Sequence, residues 1–264
     1  MTPSTQHLAP APELRLRFLG TGTSMGVPVI GCSCAVCTSV DPRNHRSRTS
    51  ALLSYGDQHI QIDAGPDFRL QAIAAGITRL DAVLLTHSHF DHVAGLDDLR
   101  PLVRPEQPMP IYGSASTLAD VRERFAYAFT ESSAGSTRPS IELRLIDGPF
   151  QIGALELQPL DVLHGTWTIT GYRCGPLGYV TDASYISPAS LAILRGVKLL
   201  VLNFLRLEPH PTHFSLAQAL EVIAELRPQR TCLVHMTHKI DHASVNATLP
   251  PGVELAYDGL EVKL

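Results

Sequence analysis

The seven-residue run Thr86-His87-Ser88-His89-Phe90-Asp91-His92 contains four groups able to bind a divalent metal. It follows Ala82-Val83-Leu84-Leu85, an apolar stretch that reads as a buried strand. Side chains alternate along a strand, so His87 and His89 leave its end on the same side. Asp91 and His92 occupy the turn into the next helix and approach from another direction. One strand end can thereby serve two adjacent ions. Imidazole with carboxylate suits zinc, manganese or iron, so the metal's identity stays open. The bland alternative is a set of solvated turn histidines beside a helix-capping aspartate, and the density of ligand groups argues against it.

A second cluster, Gly31-Cys32-Ser33-Cys34-Ala35-Val36-Cys37, holds three of the five cysteines; the others are Cys174 and Cys232. Residues Met1 to Arg17 show no apolar stretch that could act as a signal peptide, so residence in the cytoplasm is expected. An odd cysteine count without a secretion signal argues against a disulfide framework and favours thiolate metal ligation.

The elements that must position these groups follow from the hydrophobic pattern. Leu14 to Leu19 alternates apolar and basic residues like a half-buried strand and ends in the turn Gly20-Thr21-Gly22-Thr23. The stretch from there to Ser50 is a long loop rich in Gly, Pro and Cys, which calls for a stabilising partner such as a bound ion. Strands are expected at Leu52 to Tyr55, His59 to Asp63, Ala82 to Leu85 and Ile111 to Gly113. Helices are expected from Asp67 to Ala75, Asp91 to Leu102 and Thr117 to Phe129. In the second half, strands are expected near 141–146, 149–163, 167–174, 177–181, Leu199 to Phe204, Thr231 to Val234, 253–257 and 260–264. Helices are expected at 188–195 and from Ser215, a plausible cap, to Leu226. Antiparallel runs mixed with αβ units imply two packed sheets with helices outside. Glu131 to Arg138 reads as a loop, and residues 1–264 as one domain with a cysteine-containing loop at about 20–50.

The chain has 264 residues, 44% of them hydrophobic, which suffices for one large core or two small domains. A net charge of −4 does not suggest a protein that coats long nucleic acid. No apolar run approaches the length of a membrane span.

Further ligands should lie at other strand ends. His164 follows Leu160-Asp161-Val162-Leu163, Asp182 follows Gly178-Tyr179-Val180-Thr181, and His235 follows Cys232-Leu233-Val234. With Asp63 in Ile62-Asp63-Ala64-Gly65, these residues and the His87–His92 cluster resemble, in order, the motif series of the metallo-β-lactamase superfamily. The resemblance extends from Leu16 to the C-terminus. It implies an α/β fold, the four-layer αβ/βα sandwich with a dinuclear site between two sheets. It also implies that His87, His89 and His164 bind one ion, that Asp91, His92 and His235 bind the other, and that Asp182 bridges them. In this pattern Asp63 supports the ligands by hydrogen bonding. Lactonases, thiolesterases, nucleases and phosphodiesterases share this fold, so it does not fix the reaction.

Cys32-x-Cys34-x-x-Cys37 wants a fourth ligand, and His238, three residues beyond His235, is the candidate. A Cys₃His zinc site is closed and therefore structural. Buried free thiols with a surface His238 are the alternative. The combination of Gly20-Thr21-Gly22, Gly26-Val27-Pro28, the cysteine triplet, the histidine cluster and His235-Met236-Thr237-His238 resembles the phosphoribosyl cyclic phosphodiesterases. That resemblance implies two divalent ions (Mn or Zn) in the catalytic site and one structural Zn. It also implies a histidine acid before the last long helix, matched best by His213 in Thr212-His213-Phe214-Ser215-Leu216, with His210 as the neighbouring alternative. Asp91 and His213 are thus the candidate catalytic residues.

The expected activity is hydrolysis of a small, cyclic sugar or nucleotide phosphodiester by a hydroxide held between two ions. The expected partner is that small molecule, with no long nucleic acid and no membrane; a homodimer is a family-level expectation. Arg43-Asn44-His45-Arg46-Ser47-Arg48 could steer an anion, but solvated surface charge or salt-bridging to the cysteine loop is the more ordinary role. The rivals are a transfer-RNA-processing nuclease, a lactonase-like carboxylic ester hydrolase and a non-catalytic cofactor-biosynthesis relative. Only three lysines occur (Lys198, Lys239 and Lys263), and no Lys-rich arm for gripping RNA is evident.

Overall fold

The computed structural model describes residues 12–104, 106–130 and 137–264. Most of the segment read for a signal peptide, and part of the 131–138 loop, lie outside the described residues. The first half contains β1 (Leu14–Gly20), β2 (Ser50–Tyr55), β3 (Gln58–Ile62), α1 (Phe68–Ala75), β4 (Ala82–Leu84), α2 (Phe90–Val93), β5 (Met109–Gly113), α3 (Ala115–Arg124) and β6 (Ile141–Leu145). The second half contains β7 (Phe150–Ile152), β8 (Leu155–His164), β9 (Trp167–Cys174), β10 (Leu177–Val180), β11 (Tyr185–Ile186), α4 (Pro188–Leu194), β12 (Leu199–Asn203), α5 (Leu216–Leu226), β13 (Arg230–Val234), α6 (His242–Asn246), β14 (Val253–Leu255) and β15 (Glu261–Lys263).

Two sheets result, ordered β15-β1-β2-β3-β4-β5-β6 and β11-β8-β9-β10-β12-β13-β14, with β7 added against β8. Each repeats one plan. Three strands pair antiparallel (β1 to β3, β8 to β10), and the sheet then continues parallel through αβ units. The last strand, β15, returns to the first sheet and pairs antiparallel with β1.

Period-two patterning sorts the side chains into layers. Leu16, Phe18, Leu53, Ile60 and Leu84 point inward and meet Leu157, Tyr172, Leu199 and Val201 of the other sheet. From the same central strands, Val83 and Leu85 pack outward under α1 and α3, and Leu200 and Leu202 pack outward under α4 and α5. Strands β4 and β12 are therefore apolar on both faces, as buried parallel strands must be. The layers run helix, sheet, sheet, helix, the αβ/βα sandwich of the metallo-β-lactamase type. Among the described residues no helix is long and apolar enough to cross a membrane.

Three expected elements take a different form, and the structure adds β11 and α6, which the sequence reading did not contain. The helix expected from Asp91 to Leu102 is one α-turn, α2, followed by a 3₁₀ segment, Ala94–Leu102. Gly95 lies so close to Gly65 that an added Cβ would sit 2.1 Å from the Gly65 carbonyl, and Pro101 has no N–H for an α-helical bond. The helix expected to reach Phe129 ends at Arg124, with a separate 3₁₀ turn at Ala126–Ala128. The strand expected over 149–163 is a hairpin, broken between β7 and β8, where Gly153 takes a positive φ of 54°. Helix α5 begins at the expected cap, with Ser215 accepting from the Gln218 N–H and the Gln218 side chain reaching back to the Ser215 N–H.

Candidate metal centre

The histidine cluster opens where β4 runs out, and the other groups arrive on neighbouring strand ends. Asp63 follows β3, Asp182 follows β10 and His235 follows β13, each with left-handed backbone at φ of 56°, 59° and 62°. Non-glycine residues rarely adopt this conformation, and where they do it accompanies functional geometry. Here it turns Asp182 and His235 toward one point and Asp63 toward the back of the His92 ring. The loop after β3 also lies tightly against α2, since a Cβ on Gly65 would sit 1.9 Å from the Asp91 carbonyl oxygen.

Four sets of ligand atoms lie within 4.8 Å of one another: His87, His89 and His164; Asp91, His92, Asp182 and His235; His164, Asp182 and His213; and Cys32, Cys34, Cys37 and His238. In the first set, His87 Nε2 and His89 Nδ1 face each other across 3.0 Å. Asp182 joins the first two sets. Its Oδ2 lies 3.9 Å from His87 Nε2, 3.5 Å from His92 Nε2 and 3.0 Å from His235 Nε2. Its Oδ1 accepts a 2.6 Å hydrogen bond from the Thr181 hydroxyl.

Hydrogen bonds behind the rings set which nitrogen faces inward. Asp63, fully buried, accepts from the Thr86 N–H at 2.8 Å, the Thr86 hydroxyl at 2.7 Å and His92 Nδ1 at 2.7 Å. His164 Nδ1 donates to the Thr212 carbonyl at 2.8 Å, and the Thr86 hydroxyl stands 3.0 Å from His87 Nδ1. The inner Nε2 atoms of His92 and His235 are buried without a hydrogen-bond partner, as is His235 Nδ1. Buried imidazole nitrogens are costly to leave unpaired, and their convergence on carboxylates fits a bound cation.

The electrostatics agree. Burial alone would hold His92 and His235 neutral, but Asp182 and its neighbouring carboxylates outweigh it. His92 is raised well above its ordinary pKa and His235 to about 9. Burial likewise opposes charge on Asp182, yet His235 and His92 hold it well below the carboxylate range. Buried imidazoles and carboxylates drawn together this strongly form the donor set a divalent cation needs.

His213, matched to the acid before the last long helix, stands inside this ring of groups. Its Nε2 is 3.4 Å from Asp182 Oδ2, and its ring stacks on His235 at 4.9 Å and meets His164 edge-on at 4.6 Å. Burial lowers its pKa to about 4. Among the described residues His210 meets Thr212, through its N–H and hydroxyl, and His213, so His213 is the one that contacts Asp182.

At the cysteine loop, His238 Nδ1 lies 3.2 Å from Cys32 Sγ and 3.5 Å from both Cys34 and Cys37 Sγ. The Val29 and Cys37 N–H groups donate to the Cys37 and Cys34 sulfurs. The Cys37 N–H lowers the Cys34 thiol to about 6, while burial raises Cys37 to about 11. All five cysteines are free thiols. Three sulfurs and one imidazole nitrogen converging this closely match a tetrahedral zinc donor set.

The arginine run divides. Arg43 pairs with Asp41, and Arg48 with Asp67. Arg46 is buried and donates to the Asn44 side chain and to the Thr237 and Ile240 carbonyls. It braces the cysteine loop against the segment carrying His238. Sequence reasoning also missed Trp167, which stands edge-on to His87 and His89 at 5.4 and 5.0 Å. Its being the sole tryptophan was the only available signal. The Thr212 carbonyl has no signal at all, because any residue supplies one.

Residues 58–236 match the family described as the beta-lactamase superfamily domain. The crystal structure of a new diphosphatase from the PhnP family superposes with a TM-score of 0.90 at 38% identity, covering 96% of this chain and 97% of that one. An octanoyltransferase of Porphyromonas gingivalis is 40% identical over 253 residues, 94% of this chain and 51% of that protein. A ribonuclease Z of Bradyrhizobium is 34% identical over 189 residues, 68% of this chain and 54% of that protein. The chain thus spans about half the length of these two curated relatives. With its fold, its strand-end histidines and aspartates and these matches together, the chain belongs to the metallo-β-lactamase superfamily.

Proposed function

We propose that this protein is a metal-dependent hydrolase of small phosphodiesters or diphosphates, with two divalent ions, Mn or Zn, in the histidine–aspartate site. His87, His89 and His164 would hold one ion, Asp91, His92 and His235 the other, and Asp182 both. Cys32, Cys34, Cys37 and His238 would hold a separate structural zinc. The observation that carries the reading is the single oxygen, Asp182 Oδ2, within 3.9 Å of imidazole nitrogens from both sets. Two ions so held would lower the pKa of water and neutralise charge on a phosphoryl group in the transition state.

The chain's own residues prepare that chemistry. Asp63 and the Thr212 carbonyl keep the Nδ1 protons of His92 and His164, which frees their Nε2 atoms. Trp167 walls one side of His87 and His89. His213, against Asp182 but held by the loop before α5, would deliver a proton to the departing oxygen once a bound anionic substrate offsets the burial that holds it neutral, a contribution of about 10²–10⁴-fold. The PhnP-family diphosphatase and the ribonuclease Z, both named for cutting phosphorus–oxygen bonds, support this reaction class.

A carboxylic ester reading has one observation in its favour, the identity to half of a protein named octanoyltransferase. One panel separates the two. Protein loaded with Mn²⁺ or Zn²⁺ is offered bis(p-nitrophenyl) phosphate, a cyclic ribose phosphate, a nucleoside diphosphate derivative, a lactone and an octanoyl ester. Metal-dependent turnover of the phosphorus substrates is expected. Turnover confined to the lactone or the octanoyl ester would overturn the proposal.

A further inference from the structure

His87 and His89 flank Ser88, which is buried at 1% exposure and turns its side chain toward α3. The Ser88 hydroxyl donates to the Asp120 carboxylate, and the Ser88 carbonyl accepts from the Arg124 guanidinium. Asp120 and Arg124 are four residues apart on α3, so the helix presents both on one face. The helix thus grips the peptide between two ligands by its side chain and its backbone.

This grip matters most for His89. His92 is fixed by Asp63, His164 by the Thr212 carbonyl and His87 by the Thr86 hydroxyl. His89 has no such partner among the described residues, only the rings of His87, His164 and Trp167 around it. Its ring direction depends on how its backbone is held, by its own carbonyl accepting from the His92 N–H on one side and by Ser88 on the other.

We propose that Asp120 and Arg124 are positioning residues that act through Ser88 to set the affinity of the His87, His89 and His164 end for its ion. The inference rests on the metal-site reading above. It concerns one ion of the pair, because Asp91, His92 and His235 are held by other elements.

The test is a titration of Mn²⁺ into the full chain, with the free ion followed by its EPR signal. Wild-type protein should take up two ions at the histidine–aspartate site. Ser88→Ala and Asp120→Ala should each weaken one of the two by about 10–100-fold and spare the other. The double variant should bind no worse than either single one, because Asp120 acts through Ser88. Asp120→Asn, which keeps an oxygen to accept from Ser88, should restore binding close to wild type. Two ions bound by wild type with unchanged affinities in Ser88→Ala and Asp120→Ala would overturn the inference alone. Equal weakening of both ions, or additive losses in the double variant, would also overturn it, by showing a general structural effect. Wild-type protein that binds no ion at this site would overturn the metal-site reading as well.

Discussion

Asp182 and His235 come from the ends of two different strands, share the left-handed backbone conformation, and meet with Oδ2 3.0 Å from Nε2. Each backbone is held where a β-carbon is unwelcome, and each side chain gains a partner there that an ordinary strand residue would not reach. Asp182→Asn is the informative variant, since asparagine tolerates this conformation and differs only in charge and one donor. It should fold with the stability of wild type, bind fewer than two divalent ions and lose at least about 100-fold in turnover. Calorimetry and metal analysis check it; an active variant with two ions would remove Asp182 as the shared ligand.

His213 touches Asp182, yet its own segment is anchored through Thr212 and α5. If it serves the leaving group, His213→Ala should keep the full metal content and lose about 10²–10⁴-fold in kcat on a sugar alkoxide leaving group. The loss should shrink on p-nitrophenyl esters, whose leaving group needs little protonation. A loss of equal size on both would instead assign His213 to the metals, a role its nearness to His164 and Asp182 makes the natural rival.

The strand-end groups were legible because their chemistry is local. A polar residue directly after a run such as Val180-Thr181 or Leu233-Val234 stands out against apolar neighbours, and the period-two pattern gives its position. The two-sheet core was legible for the same reason. What lies behind the ligands was not. The Thr212 carbonyl, the burial of Arg46 and the grip of α3 on Ser88 each join residues far apart in sequence, through groups that carry no distinctive pattern. The break of the expected long helix into α2 and a 3₁₀ segment was hidden too. There the Gly95 N–H donates to the Ala64 carbonyl instead of within a helix, a tertiary contact that overrides an amphipathic stretch.

The thiolate site and the histidine–aspartate site should respond differently to metal supply, because sulfur ligands select zinc over manganese. Protein produced in manganese-rich medium should carry zinc at Cys32, Cys34, Cys37 and His238 and manganese elsewhere, which X-ray absorption at the two edges would resolve. Cys34→Ser should lower Tm by roughly 5–10 °C, since a structural zinc contributes directly to folding. Manganese at the thiolate site, or an unchanged Tm with the zinc lost, would count against a structural role.

Arg46 tests whether the cysteine loop is held by its metal alone. Its guanidinium is buried and donates to the Asn44 side chain, the Ile240 carbonyl at 2.7 Å and the Thr237 carbonyl at 3.1 Å, on either side of His238. Removing it strands buried acceptors, each hydrogen bond to a charged donor being worth about 1.5–3 kcal/mol. Arg46→Met keeps much of the volume and should cost on the order of 3 kcal/mol, or roughly 6–12 °C in Tm. Arg43→Ala, three residues away, removes an exposed pair with Asp41 and should leave Tm unchanged. The Arg46 variant should also release zinc faster to a chelator, because the turn that presents His238 has lost its second anchor. Equal Tm and equal zinc release for the two variants would show that the metal holds the loop without help from the guanidinium.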